Sequence, residues 1–518
     1  MDITPEQIWT RYQKGVDYLG KNSIYDIVKK NEDFYDGRQW GGLESGSMPT
    51  PVFNVLQRAG KFMVATIGSN DVAINLEPFS AMPADWDNVN IIRDEIDHIV
   101  EQAKIKEQSK EAIRNAFVDG SAYLMQSFNP YFETHQDIKG RVENQLVDCT
   151  NVYFGNPYSK DIQSQPYIII SMRQDLLMVK KEAKKLGLKE EDIDSITTDN
   201  DNLQANDDSD NLVTVLIQYW KDEKNEVHFS KSTHHVYLIE DTDLGYKRYP
   251  LACFGWDIKK NSYLYNSPMT SVITNQVFIN KCYAIAQMYG LQSAFPKIVY
   301  DKSKVDIDNF LNSTDAQAVA GLDLAGKFID FIKIPDFSNN IITLGQETIS
   351  QTKEMLGVTN ASLGNVKADN TSAIVQLQTS SAVPLEIQKQ QFYEMWEDVV
   401  RNIIDIVACS YGTRKVLSKD RQMATVDFSV LKELNFNLSV EIGNGAQFSE
   451  ITQINTLDKL VQAGYITPDV YMDIIPSKYL PQKTRLIESY RQIQQANQMG
   501  APIAQARGST TADDTTPL

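Results

Sequence analysis

The alternation of apolar and polar positions is most informative from about Gln346 to Gly412. It predicts a short helix, a polar loop, and then a long helix broken once. The loop, Val358 to Thr371, is bracketed by Gly357 and by a fresh helix start at Thr371 or Ser372, and carries Asn360, Ser362, Asn365, Lys367, Asp369 and Asn370. An ordinary turn needs far less polar chain. Beyond it Ile374, Leu377, Leu385, Phe392, Met395, Trp396, Val399, Ile403, Ile406 and Val407 recur at helical spacing, interrupted by Pro384. A proline inside a helix removes one hydrogen bond and clashes with the preceding turn, which predicts a kink near Val383.

Elsewhere the period marks further elements. Thr4-Pro5-Glu6-Gln7 is a helix start, with a capping residue, Pro at the first helical position and Gln three residues after the cap. Helices are predicted from there to about Leu19, near Ser23 to Tyr35, and from about Asn54 to Ile67, with a Gly-rich break at Arg38 to Gly42. Asp71 to Glu77 alternates as a strand, and Trp86 to Phe117 carries a long helical pattern interrupted by a Lys- and Glu-rich patch. From Ser121 to Asp257 the period is mostly β, with runs at Ala122 to Phe128, Val142 to Val147, Tyr167 to Met172, Val213 to Trp220, Val227 to Phe229 and His235 to Ile239, and one helix at Leu176 to Leu186. Lys189 to Asn211 is acidic and poor in aromatics, and reads as a surface loop.

After Ser267-Pro268 comes a helix of about 22 residues, a rod roughly 33 Å long at ~1.5 Å per residue. A compact insertion is predicted next, with strands at Lys297 to Tyr300 and Lys327 to Ile334 and a short helix at Asp306 to Leu311. The chain returns helically through Gln346 to Leu356. A helix out, a small module and a helix back imply two rods side by side with the module at their far end. Val426 to Ile442 reads as strands, Ser449 to Gln462 and Gln482 to Gln498 as helices, and Gly500 to Leu518 as a disordered tail. The fold class is α+β, mainly helical.

At 518 residues, 42% hydrophobic and 10% aromatic, the chain can fill sizeable cores. Its net charge of −18 weighs against a tight reader of nucleic-acid sequence, which clusters Lys and Arg against phosphates. Cys149, Cys253, Cys282 and Cys409 have no metal-ligand or redox spacing, which fits a reduced compartment. Neither a conventional signal peptide nor a bilayer-spanning run is present in the sequence.

Candidate chemistry fails residue by residue. Gly321-Leu-Asp-Leu-Ala-Gly-Lys-Phe328 departs from a P-loop where Phe replaces the hydroxyl that holds magnesium, and Lys327 to Ile334 alternates like a strand where a P-loop would open a helix. Val236 to Asp241 imitates a Walker B element but precedes the Gly-rich stretch. The acidic residues Asp199, Asp201, Asp207, Asp208 and Asp210 fit no EF-hand register. His234 and His235, read as neighbours in a strand, should point to opposite faces and share no metal. No catalytic residue, cofactor or metal is assigned.

Several stretches together resemble the portal protein family of tailed bacteriophages. They are Tyr35-Asp-Gly-Arg-Gln39-Trp40 followed by Pro51-Val-Phe-Asn54; Tyr249-Pro250 through Phe254-Gly-Trp256; Tyr265-Asn-Ser-Pro268 with the helix carrying Asn275-Gln276 and Asn280-Lys281; and Leu356-Gly357, the Asn-rich loop and Thr371 to Gln378. The resemblance covers most of the chain in order. It implies a ring, usually of twelve subunits, at one capsid vertex of the virion, assembled in the host bacterial cytoplasm with no membrane association. Residues 1–266 and 372–427 would form the wing, 267–291 and 346–356 the stem, 292–345 the clip, 357–371 the tunnel loop and 428–499 the crown, ahead of the tail at 500–518.

By the same resemblance double-stranded DNA would pass the loop residues Asn360, Ser362, Asn365, Lys367, Asp369 and Asn370 without specificity. The clip, with Lys297, Asp306, Lys327 and Asp330, would dock the large terminase and later head-completion or adaptor proteins, and the ring would sit in the major capsid protein shell. Rival readings are a terminase-like packaging ATPase or nuclease, and another virion structural protein such as a minor capsid protein or adaptor.

Overall fold

A computed structural model of the chain describes residues 3–41, 48–68, 72–79, 83–133, 139–199, 211–294, 298–301, 318–321, 329–331, 339–358, 383–417, 423–432, 436–442, 457–466 and 471. The fold is α+β. The chain divides into two compact units, Met1–Gly443 and Asn444–Leu518. In the second, residues 457–462 are helical and end at Gly464, whose φ of +77° is the left-handed stop expected of glycine.

The first unit opens with three helices, α1 (Pro5–Lys21), α2 (Ile24–Tyr35) and α3 (Val55–Ile67). The Thr4 amide donates to Gln7 Oε1 (3.3 Å), half of the reciprocal cap read from the sequence. Strand β1 (Val72–Pro78) leads to α4 (Pro83–Gln102) and α5 (Ile105–Asp119). The interrupted helical pattern is two helices, with the break at Lys104, which takes a left-handed φ of +52°.

The β-rich region comes next as β2 (Ser121–Glu133), β3 (Lys139–Asp148), β4 (Val152–Phe154) and β5 (Tyr167–Asp175), then the helices α6 (Leu176–Lys185) and α7 (Glu190–Ser195). It continues through β6 (Leu212–Lys221), β7 (Val227–Ser232), β8 (Tyr237–Tyr246), β9 (Leu251–Gly255), β10 (Asp257–Ile258) and β11 (Tyr265–Asn266). Two antiparallel sheets dominate: one of five strands in the order β4-β5-β6-β7-β8, the other in the order β3-β2-β9. His234 and His235 belong to neither strand. They occupy the turn between β7 and β8, where their rings stack 4.0 Å apart, and Trp9 of α1 stacks on His234 at 4.4 Å. The expectation of opposite faces fails because the strand stops at Ser232 and alternation stops with it.

Next come α8 (Pro268–Ala294), β12 (Ile298–Asp301), β13 (Ala318–Gly321), β14 (Ile329–Phe331) and α9 (Asn340–Met355). The three short strands form one sheet, with β12 parallel to β13 and antiparallel to β14. Both helices are longer than their apolar pattern suggested, α8 by about one turn at its end and α9 by six residues at its start. The unit closes with α10 (Glu386–Ser410), β15 (Thr413–Leu417), β16 (Met423–Asp427) and β17 (Phe436–Ile442). β17 pairs antiparallel with β1, from Val72 opposite Ile442 to Pro78 opposite Phe436. Phe428 to Lys432, expected as strand, is a 3-10 helix that buries Phe428 and Leu431.

The core gathers around α10. Phe392, Met395, Trp396, Val399, Ile403, Ile406 and Val407 are all buried, on the spacing read from the sequence, against β2, β9 and the 3-10 helix. A polar seam crosses this packing. Gln126 in β2 donates to Asn144 Oδ1 (2.7 Å) and accepts from Asn402 Nδ2 (2.9 Å), so a buried amide finds partners on both sides.

Candidate functional site

The long helix α8 leaves the body through a joint made almost entirely of amides. Its start is set by Ser267, whose hydroxyl donates to the Phe117 carbonyl (2.8 Å) and accepts from the Met269 amide (3.1 Å). The neighbouring Gly120 takes φ +103°, and a Cβ there would lie 2.5 Å from the Tyr265 carbonyl oxygen, so this crossing of chains requires glycine. Asn31 of α2 donates to the Val118 carbonyl (2.7 Å) and to Thr270 Oγ1 (3.0 Å), tying α2, α5 and α8 together.

Two turns further along, Gln276 and Asn280 lie four residues apart on one face of α8, both buried. Gln276 Nε2 donates to the Phe53 carbonyl (2.7 Å) and to Asn280 Oδ1 (3.1 Å), while its Oε1 accepts from the Val55 amide (3.1 Å). Asn280 Oδ1 accepts from the Phe53 amide (3.2 Å), and Asn280 Nδ2 donates to Gln39 Oε1 (2.6 Å). Gln39 in turn donates to the Phe34 carbonyl (2.7 Å), Trp40 Nε1 to the Pro51 carbonyl (2.9 Å), and Asn54 both caps α3 through Gln57 N (3.0 Å) and donates to the Tyr35 carbonyl (2.7 Å). The Phe53 ring packs on Tyr283 in a tilted pair with centroids 4.1 Å apart. Sequence motifs some 240 residues apart, Gln39-Trp40, Phe53-Asn54 and Gln276 with Asn280, thus form one network.

On another side of α8 lies α9, running antiparallel. Asn275 Nδ2 donates to Thr352 Oγ1 (3.2 Å) near the root, and Gly345 comes so close to Cys282 farther out that a Cβ would sit 3.3 Å from that residue's Cβ. The two rods expected from the sequence are a packed hairpin. At the foot of α9 the chain turns at Gly357, with φ +72°, and a Cβ on Gly357 would lie 3.1 Å from Cβ of Pro384. Pro384 stands in a 3-10 turn, Val383–Leu385, directly before α10. The segment between them therefore begins and ends at one point, flanked by buried Val358 and Leu385.

The loop residues Asn360, Ser362, Asn365, Lys367, Asp369 and Asn370 lie outside the described residues, as do Lys297, Asp306 and Lys327. So does the chain just before Val383, and with it the expected kink. Asp330 is placed in β14, opposite Val299 of β12. The Gly-rich stretch is described at Gly321, the last residue of β13. Among the described residues no group of three His, Cys, Asp or Glu is arranged to hold a metal ion, and no helix is long and apolar enough to cross a membrane.

A second polar cluster, not foreseen, lies beside the root of α8. Arg114 of α5 grips Glu32 of α2 with two hydrogen bonds (2.5 and 2.6 Å) and its guanidinium lies 4.8 Å from the Tyr35 ring centroid. Asn115 donates to Asp148 Oδ1 (3.1 Å). Asp119 closes α5 among these acids. Burial, and then the charges of Glu32 and Asp148, push its carboxyl up to about 8. Asp119 and Asp148 are 29 residues apart in sequence, and no sequence signal brings them together.

The groups at the joint bond to one another and to backbone, and so fix α2, α3, α5 and α8 to one another. Residues 179–507, more than half of the chain, match the family model described as Phage P22-like portal protein, and the chain belongs to that family. No curated protein matches the chain.

Proposed function

We propose that this chain is the repeating subunit of a closed ring, usually of twelve copies, at one vertex of a phage capsid, through which double-stranded DNA is packaged and later ejected. In this reading residues 1–266 and 372–427 are the wing, 267–291 and 346–356 the stem, 292–345 the clip, 357–371 a loop facing the channel and 428–499 the crown. The clip docks the terminase during packaging and head-completion or adaptor proteins afterwards. A closed ring of identical subunits needs a heterologous interface, one face fitting a different face of the next copy, and paired long helices suit it.

The observation that carries the reading is the antiparallel α8–α9 hairpin on its amide joint, with the ends of the segment 359–382 meeting at Gly357 and Pro384 beside it. A conduit should neither read bases nor grip phosphates along its length. A net charge of −18 per subunit, repeated about an axis, keeps the duplex off the wall, while Lys367 offers brief contact. Particle images of the purified protein test the reading: rings with a central hole are expected, and a persistent monomer at high concentration would overturn it.

A further inference from the structure

The helix α6 carries four lysines, Lys180, Lys181, Lys184 and Lys185, on an otherwise acidic chain. Its inner face is conventional, with Val179 and Ala183 fully buried against the five-stranded sheet beside Val213 and Val215. The outer face combines two features that solvent alone does not explain. Leu177 and Met178 are 73% and 64% exposed, although Asp175 caps the helix immediately before them. Five lysines stand against one glutamate between Leu176 and Lys189, and that glutamate, Glu182, is engaged by Lys231 (2.6 Å).

Leu177, Lys181 and Lys184 succeed one another at helical spacing, and Met178 and Lys185 form the adjacent row. The ammonium of Lys185 lies 4.9 Å from the ring centroid of Tyr131, which is itself 64% exposed on β2, so the face continues onto the neighbouring sheet. Lys181 and Lys184 make no ion pair with any described residue.

We propose that this face docks an acidic polypeptide segment of another protein of the virion, in which carboxylates meet Lys181, Lys184 and Lys185 and a large apolar side chain covers Leu177, Met178 and Tyr131. The charge sets the class of partner, because the face is cationic on a chain that is otherwise strongly anionic. The apolar half favours polypeptide over nucleic acid, since a phosphate backbone would leave Leu177 and Met178 uncovered, and methionine adapts to irregular apolar partners. This docking requires neither the channel nor the proposed domain boundaries.

The test is a photoreactive benzophenone side chain placed at position 177, and separately at 131, in the full-length protein within assembled particles, with the cross-linked peptide sequenced. Both positions should label the same Asp- and Glu-rich peptide of a different protein, and the yield should fall at least tenfold at high salt or in K181E/K184E/K185E. The conservative K181R/K184R/K185R should retain it. Unchanged melting of the charge-reversed protein would show that α6 still folds. Cross-links to DNA, to a copy of this chain, to the chain's own acidic residues 200–210 or to a peptide without acidic residues would overturn the proposal, as would no cross-link from either position.

Discussion

Gly357 and Pro384 close the base of a 26-residue excursion: a Cβ on the first would lie 3.1 Å from Cβ of the second. The glycine holds φ +72°, so two separate costs fall on G357A, a left-handed backbone that disfavours a side chain and a methyl pressed against the proline ring. A loss of about 1–2 kcal/mol is expected from the backbone alone. Thermal melting of G357A, P384G and the double variant separates the two. The contact part should be relieved in the double variant while the backbone part persists, and full additivity would refute the contact.

Because the ends of the segment already meet, shortening it should leave the body undisturbed. Deletion of Asn360 to Asp369 should preserve folding and ring assembly while impairing DNA packaging or retention. Electron microscopy counts the rings, and nuclease-protected DNA per particle measures the packaging. Loss of rings instead would make the loop an assembly element.

The amide joint at the root of α8 should behave as a unit. Q276A leaves the Val55 amide and Asn280 Oδ1 each short of a buried partner, and N280A does the same to the Phe53 amide and Gln39. Each should cost about 1–3 kcal/mol. Shared partners make the losses non-additive, so Q276A/N280A should cost less than the two single losses combined. Chemical denaturation of the four proteins decides it, with simple additivity as the contrary result.

How legible these features were depended on whether burial was one-sided. The apolar rhythm of α10 stands out because the helix shows one face to the core, and the α8–α9 hairpin is implied by two helical rhythms flanking a module. Leu251 to Gly255 hid because β9 is covered by β2 along its edge and by α10 on its face, leaving little alternation to detect. Phe428-Ser-Val-Leu-Lys misled in the opposite sense, since Val426, Phe428 and Val430 alternate as in a strand, whereas the structure buries Phe428 and Leu431 and leaves Val430 exposed. The break at Lys104 showed only as a Lys- and Glu-rich interruption of the pattern, with no glycine or proline to fix its position. Gln39, Gln276 and Asn280 were visible as motifs, but their convergence is a tertiary fact.

Among the described residues the hairpin leaves several large apolar side chains partly exposed. Phe278 and Ile285, seven residues apart on α8, are 40% and 44% exposed, and Leu344 on α9 is half exposed. In a ring these would be covered by the next subunit, so F278D/I285D should remain a folded monomer where the parent forms rings. Light scattering coupled to size exclusion gives the mass, and circular dichroism checks the fold. Normal rings from the double variant would remove the hairpin from the interface.

Asp119 predicts the direction in which stability drifts with pH. Its carboxyl is raised from 3.8 to about 8, first by burial and then by repulsion from Glu32 and Asp148, with Arg114 opposing. Below pH 4 the group is protonated whether the chain is folded or not, and contributes no pH dependence. Between about pH 4 and 8 the unfolded chain releases the proton and the folded chain keeps it, so the unfolded state binds fewer protons and stability declines as pH rises. Above 8 both states are ionised and the loss is complete. D119N keeps a neutral side chain of the same shape at every pH, so it should be more stable than the parent at pH 8 by an amount on the order of a few kcal/mol and melt correspondingly higher, with the difference shrinking towards pH 4. Asp148, raised in the same direction by burial and by Glu32, should leave the variant a smaller residual slope. Equal melting of the two proteins at pH 8, or a gap that widens in acid, would mean that Asp119 is ionised in the folded protein and that Arg114 neutralises more of the cluster than Glu32 alone.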